Sequence, residues 1–269
     1  MSVLTAAALR RPAARRRSMA PALFERNVRV YRRSWLMLVS GFLEPLLYLF
    51  ALGVGLGSVI KGVTGPDGQP LTYAAFVAPA MLATSAMNGA VIDVTFNVFF
   101  KLKYNKLYDA VLATPVSPRD VAAGEIAWAV TRGSLYSSAF LVVMVALRLV
   151  SSWWAVLVPL AALLLGFAFA GIGMAVTTFM KSWQDFEWTF LATLPMFLLS
   201  GTFYPLEVYP PALRAVVQWT PLYQGVDLVR SLSVGAVHPA LLLRVAYLVV
   251  LGGVGLLITS RRLTRLLLR

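Results

Sequence analysis

The 269-residue chain is 59% hydrophobic and 13% charged, with a mean hydropathy of +0.76; a soluble domain carries roughly a quarter charged residues, so the composition is that of a polytopic membrane protein. It has no cysteine and a single histidine, His238, which excludes disulfides, thiolate metal sites and cysteine nucleophiles and leaves little scope for a histidine relay. A net charge of +13 would suggest nucleic acid in a soluble chain; here lysine and arginine crowd the N-terminus, a central loop and the last nine residues, a positive-inside pattern that points to lipid and not to nucleic acid.

Residues 1–18 carry Arg10, Arg11, Arg15, Arg16 and Arg17 among alanines and read as a cytoplasmic tail. From Ala20, an apolar series Phe24, Val28, Tyr31 and Trp35 opposes Arg26, Arg29 and Arg33, the pattern of an amphipathic helix lying along a membrane surface. Arg32-Arg33-Ser34-Trp35-Leu36 loosely resembles a twin-arginine signal, but no small-residue cleavage site follows and the next apolar run is of spanning length. Spans are expected at about 35–59, 73–97, 121–147, 155–179, from 186 past Pro195, and 239–260. A turn-rich loop over 61–72 follows the first span, and Trp153-Trp154 anchors an interface before the fourth. After span five, 210–219 and 221–234 are too short or too polar to cross and read as outer or re-entrant helices packed on protein. All Lys and Arg except Lys61, Arg132, Arg148, Arg214, Arg230 and Arg244 then fall on one side. The expectation is an all-α membrane protein of six transmembrane helices with both termini cytoplasmic, divided as 1–34 tail and interfacial helix, 35–260 transmembrane domain and 261–269 basic tail.

The stretch from Asp93 to Asp120 stands out. Lys101, Lys103 and Lys106 are three of five lysines, and Leu107, Tyr108, Val111 and Leu112 recur at helical spacing with one apolar edge. Thr114-Pro115 ends that helix, and Ser117-Pro118-Arg119-Asp120 opens the next, with Ser117 as N-cap and Pro118 at the first helical position. A short amphipathic helix is therefore expected between spans two and three, shaped to be gripped by another protein through Leu107, Tyr108 and Asp109.

Chemistry is sparse. No G-x-x-x-x-G-K-[ST] sequence is present, so the chain does not bind ATP in that manner. Gly133-Ser134 is read as a close-packing site and not as the nucleophile of an intramembrane hydrolase, because no base is placed to activate it. Gly53, Gly55 and Gly57, and Gly166 with Ala170, are small-residue patterns that permit close helix approach. Glu44, Asp93, Glu125, Arg132 and Glu187 lie in or near spans. Structural pairing and a direct transport role both remain open for them, with Glu44 and Arg132 deepest by count and each expected to have a partner in the bundle. A proton-driven secondary transporter using Glu44, Asp93 and Arg132 is the rival reading, weakened by the lack of an internal repeat.

Four segments carry a family resemblance, together spanning about 20–260: Phe42-Leu43-Glu44-Pro45-Leu46-Leu47-Tyr48-Leu49, the 106–115 segment Lys-Leu-Tyr-Asp-Ala-Val-Leu-Ala-Thr-Pro, the 195–206 segment Pro-Met-Phe-Leu-Leu-Ser-Gly-Thr-Phe-Tyr-Pro-Leu, and Thr220-Pro221-Leu222-Tyr223 followed by Asp227-Leu228-Val229-Arg230. In this order they resemble ABC-2 type permeases, nearest to the branch of nodulation-type lipo-oligosaccharide exporters and daunorubicin-resistance permeases. Asp93 stands where that branch is expected to have glutamate. The resemblance implies a permease half-transporter that pairs with a second copy or a sister permease and recruits two separate ATP-binding subunits, which hold the ATP and Mg; this chain is expected to bind no cofactor and to catalyse nothing itself. It implies an export role for an amphiphile in a bacterial inner membrane. It implies that the helix between spans two and three docks on the ATPase, and the coupling residues are then expected to be Lys101, Lys103, Lys106, Leu107, Tyr108, Asp109, Thr114 and Pro115. From the residues themselves, Glu44, Asp93, Glu125 and Arg132 are expected as intramembrane polar or pathway residues, and Pro195, Ser200, Gly201, Phe203, Tyr204 and Pro205 as a span-five and outer gate.

Overall fold

The computed structural model describes residues 18–267 apart from 33–34, 61 and 67, and of 35–42 the backbone alone; the arginine-rich tail, Arg33, Lys61, Arg269 and the Trp35 and Phe42 side chains fall outside it. The described residues form ten α-helices and one small hairpin. α1 (Ala20–Arg32) precedes α2 (Trp35–Phe50), which continues through a π turn and a 3-10 turn to Ser58. β1 (Val63–Thr64) and β2 (Pro70–Leu71) pair antiparallel across the Gly-rich loop. α3 (Tyr73–Ile92), α4 (Leu107–Leu112), α5 (Pro118–Ala146), α6 (Val158–Thr177), α7 (Phe186–Leu199), α8 (Pro211–Gln218), α9 (Pro221–Val234) and α10 (Leu241–Leu267) follow.

α3 is the axis of the bundle. Every residue from Phe76 to Met87 is buried, which is possible because Ala78, Ala80, Ala83 and Ala86 leave neighbouring helices room to close on all sides. α5, α6, α9 and α2 surround it, and α10 packs on α6. The glycines that permit close approach differ from those expected. A Cβ on Gly171 of α6 would lie 2.6 Å from the Gly252 oxygen of α10, and one on Gly133 of α5 would lie 2.8 Å from the Ala86 oxygen of α3. Gly133 is thus a packing residue, as its sequence context indicates. Around Gly55 and Gly57, by contrast, nothing lies within 4 Å, and Gly166 makes only ordinary contact with Val130.

Among the described residues, four helices are long and apolar enough to cross a membrane: Tyr73–Tyr104, Pro118–Ala146, Trp153–Thr177 and Leu241–Leu267. Of the other two expected spans, α2 with its π and 3-10 turns is helical from Trp35 to Ser58, and α7 is 14 residues long, preceded by a single 3-10 turn. Two boundaries also move. The second span does not stop at Asn97 but continues through π turns at Asp93–Asn97 and Phe100–Tyr104, and α10 continues past Ser260 with Arg261, Arg262 and Arg265 on helix. There Arg262 lies 3.9 Å over the Phe179 ring and donates to the Thr178 carbonyl, which fastens the end of α10 to that of α6.

Of the two segments expected to pack on protein, α9 does so against α3 and α6 with nine buried residues, whereas α8 buries only Val217. α7 is different. Among its residues only Phe186 is buried, and the chain leaves it through Gly201 at φ +65, a left-handed conformation suited to glycine.

The α6–α10 contact gives a direct test. Gly171→Leu should force the helices apart, an overpacking cost of about 1–3 kcal/mol, and lower the thermal midpoint of the solubilised protein by several degrees. Gly57→Ala, in open space, should leave the midpoint unchanged.

Candidate functional site

Two linked clusters of ionisable residues gather at the end where α1, α4 and the start of α5 meet. The α5 N-terminus is built as its sequence indicates: Ser117 caps it, Asp120 closes a reciprocal capping box, and Pro118 enters the first turn. Asp120 also accepts from the Ser18 hydroxyl at 2.6 Å and the Met19 amide at 3.1 Å, which ties the start of α1 to the start of α5. Gly124 lets the two helices touch, since a Cβ there would lie 2.8 Å from Leu23 Cβ.

One turn further along α5 is Glu125, 1% exposed. A carboxylate so buried is tolerable only with a full set of donors, and it has them from three elements. Lys101 Nζ on the α3 extension lies 2.7 Å from Oε2, Asn27 Nδ2 on α1 donates at 2.8 Å, and the Tyr108 hydroxyl on α4 donates to Oε1 at 3.1 Å. Arg26 Nη2 stands 3.9 Å away. Burial, and then the neighbouring carboxylate, hold the Tyr108 phenol well above its ordinary value, so it remains a neutral donor.

A second cluster lies two turns deeper. Arg132 Nη1 pairs with Asp93 Oδ1 at 3.0 Å, and its Nε donates to the Tyr136 hydroxyl at 2.7 Å. Tyr31 of α1 donates to the same Asp93 oxygen at 2.9 Å, with its ring 5.1 Å from the guanidinium, and Asn97 bonds both Tyr31 and Asp93. Asp93 and Asn97 open and close the first π turn, the kind of helix irregularity that often re-aims side chains at functional sites. Arg132 thus has the bundle partner expected of it, and Asp93 and Glu125 pair with protein.

Three sequence expectations need correction. Tyr108 is not a surface anchor; it is fully buried, because its hydroxyl reaches Glu125 and its ring packs into the core. Lys101 and Lys103 belong to the α3 extension, and only Lys106 adjoins α4, at a left-handed break with φ 45. Lys101 is turned inward to Glu125, whereas Lys103 is exposed. Asp109, Thr114 and Pro115 are exposed and Leu107 is half-buried; no ion pair joins Asp109 to Lys106 among the described residues. The third correction concerns Glu44. It has no partner among the described residues and joins neither Asp93 nor Arg132; it lines a separate cleft between α2, α3 and α7. Glu187 is likewise exposed and has no ion pair among the described residues.

At the opposite end, Ser200, Gly201 and Thr202 are buried, Phe203 and Pro205 are partly buried, and Tyr204 is exposed, as is Pro195 within α7. Arg230 of α9 braces this corner. Its Nη2 donates to the Gly201 carbonyl at 2.7 Å and its Nε to the Phe76 carbonyl at 3.2 Å, with the guanidinium 3.9 Å over the Phe76 ring. Beside it, Asp227 pairs with Arg244 of α10 at 2.5 Å.

Sequence reasoning singled out neither Asn27, Asn97 and Tyr136 nor Arg230 as functional. A signal was present for two of them: Asp93 and Asn97, and Arg132 and Tyr136, stand four apart in otherwise apolar helices, where polar residues at that spacing share a face. For Asn27 the signal was a polar residue on the buried side of α1.

Residues 21–233 match the ABC-2 type transporter family. Nodulation protein J of Rhizobium leguminosarum bv. viciae is 32% identical over 251 residues, covering 92% of this chain and 95% of that protein. Nodulation protein J of Rhizobium meliloti (strain 1021) is 33% identical over 218 residues, with 80% and 81% covered. The inner membrane transport permease YadH of Escherichia coli (strain K12) is 26% identical over 208 residues, with 75% and 77% covered. With a match over most of its length and apolar helices to suit, the chain belongs to the ABC-2 type transporter family, as a multi-pass membrane subunit of an ABC transporter that is not itself the catalytic component.

Proposed function

We propose that this chain is the permease of an exporter that moves an amphiphile, a lipid, lipo-oligosaccharide or hydrophobic drug, out of the cytoplasm or inner leaflet of a bacterial inner membrane. Two copies of a separate P-loop ATPase carry ATP and Mg, and a second permease, identical or a sister chain, completes the transporter. The observation that carries the reading is α4: a six-residue helix on the basic end, exposed at Asp109 and Ala110 and keyed from beneath by Tyr108 to the carboxylate that also holds α1 and α3. A push on α4 is delivered to three helices at once.

Six spans follow if α2 and α7 join the four long helices. At 1.5 Å per residue α7 reaches only about 21 Å against roughly 30 Å of hydrocarbon. The buried corner at Ser200–Thr202 completes the crossing on protein, where irregular backbone is tolerated. The positive-inside bias places α1, α4 and the end of α10 in the cytoplasm. Asp93 and Arg132 are closed into one pair and Glu44 stands apart, which disfavours a proton path through the three.

Because the chain lacks cysteine, single cysteines report topology without background. Replacements of Ser18, Asn105 and Arg265, all exposed, should react with an impermeant maleimide only after permeabilisation, and a replacement of exposed Glu207 should react in intact cells. Labelling of Asn105→Cys from outside would remove the coupling role.

Surface and strut on α4 are separable. The chain alone should hydrolyse no ATP, and the cognate ATPase should copurify with it and hydrolyse. Asp109→Lys and Ala110→Arg, which alter only exposed positions, should weaken that capture by roughly tenfold or more, the scale of losing an interface contact of about 1.4 kcal/mol. Tyr108→Phe should keep capture while loosening hydrolysis from transport, because it removes one buried bond to a charged group, worth about 1.5–3 kcal/mol. Undiminished capture in Asp109→Lys and Ala110→Arg together would place the ATPase elsewhere.

A further inference from the structure

The cleft that contains Glu44 lies between α2, α3 and α7 and has a volume of about 230 Å³. Most of its wall is apolar, from Met81, Met87 and Val91 on α3 to Leu194 on α7. Three polar groups in it lack partners among the described residues: the Glu44 carboxylate, the Asn88 amide and the Thr189 hydroxyl, whose oxygen is buried. The other threonines of the cleft are satisfied, since Thr84, Thr95 and Thr193 each donate to the carbonyl four residues back. No basic residue lines the cleft. Two aromatic pairs frame it, Tyr48 with Phe197 at 6.1 Å between centroids and Phe96 with Phe190 at 6.2 Å.

The buried and half-buried carboxylates Glu125, Asp93 and Asp227 are matched within the chain by Lys101, Arg132 and Arg244. Glu44, an exposed carboxylate at the edge of its cleft, has no such partner among the described residues and shares the cleft with the rings of Tyr48, Phe96, Phe190 and Phe197. An unmatched carboxylate beside aromatic faces is the chemistry that holds an organic ammonium, through charge and through the negative face of each ring. The amide and the free hydroxyl add hydrogen-bond capacity for the N–H groups that do not reach the carboxylate. The volume is below the range of about 300–1,000 Å³ in which whole drug-sized ligands are enclosed, so the cleft takes a headgroup, and the apolar remainder of the ligand extends along the exposed face of α7 or against a second permease.

We propose that this cleft is the headgroup site for a cationic amphiphile, with Glu44 as the residue that selects a protonated amine and Asn88 and Thr189 as its hydrogen-bonding companions. The proposal rests on the permease reading above and narrows the amphiphile to one class of charge.

The test compares two probes, a dansyl-tagged long-chain primary amine and the same molecule N-acetylated, which keeps the tail and removes the charge. Both are titrated by fluorescence against the full chain in nanodiscs of phosphatidylcholine alone, so that no anionic lipid supplies the preference. The amine should bind roughly tenfold more tightly than the acetamide, the scale of one carboxylate–ammonium contact in a partly hydrated cleft. Glu44→Gln, nearly isosteric, should bring the two probes to equal affinity while acetamide binding stays unchanged. Asn88→Asp, which adds a second carboxylate to the same cleft, should widen the preference, and it serves as an independent check should Glu44→Gln reduce folding. Equal binding of both probes to the unaltered chain, a preference that survives Glu44→Gln, or no widening in Asn88→Asp would each overturn the proposal. ATPase copurification is scored on the same preparations: capture without amine preference sinks this inference alone, and amine preference without capture sinks the permease reading alone.

Discussion

The buried carboxylate of Glu125 is the interaction on which the basic end of this molecule depends. It sits where α1, the α3 extension, α4 and α5 converge, and bonds to each of the other three. Removing any one donor leaves a buried carboxylate short of partners, a penalty of several kcal/mol in general and far larger than the worth of a surface pair. The four elements are therefore held in one register. The two π turns of α3 belong to the same arrangement: an extra residue per turn lets Asp93 face Arg132 and Lys101 face Glu125 on a helix that would otherwise drift past one of them.

The second cluster extends that registry inward. Tyr31 links α1 to Asp93, and Asp93 links α3 to Arg132 on α5. α1 is consequently more than a strip of amphipathic helix resting on a surface. Its Leu23, Asn27 and Tyr31 side faces α5, Phe24 and Tyr31 contact the Trp128 ring, and its first residues are tied to Asp120. A helix fastened at both ends to α5 moves with α5, which makes it part of the same body to which Tyr108 keys α4.

Much of this was legible in the sequence and some was not, for identifiable reasons. The helix after Ser117 was readable to the residue, because capping chemistry is local and Ser-Pro-x-Asp permits few alternatives. The long apolar helices were readable from composition alone. The end of the second span was not, since a π turn has no strong local signature and Lys101 and Lys103 look like loop residues until Glu125 is seen opposite one of them. Tyr108 misled for a related reason. An aromatic residue in a basic segment has the composition of an interface anchor, and only tertiary structure shows that its hydroxyl is occupied. The glycine patterns failed differently: Gly53, Gly55 and Gly57 have the spacing for close approach, yet only Gly53 meets another helix, at Ala74, while the real contact forms between Gly171, Gly252 and Gly255, which are far apart in sequence.

The distribution of fastenings separates the helices by how freely they shift. α3 is held at one end by Asp93 and Asn97 and at the other by the carbonyl of Phe76, which accepts from Arg230. α6 and α10 are in backbone contact, and α9 is buried between α3 and α6. α7 has one buried residue and is held by the aromatic cluster of Phe96, Phe99 and Trp183 around Phe186, by ring contacts of Phe190 with Phe96 and of Phe197 with Tyr48, and by Arg230 at Gly201 just beyond its end. Elements with few buried contacts open at the lowest free energy. Displacing α7 exposes little that was packed in this chain, and α7 with α2 forms one wall of the cleft that holds Glu44. Under the proposed coupling through α4, a rigid frame with its least encumbered helix beside an unmatched carboxylate is a physical basis for changing access to that cleft without dismantling the core.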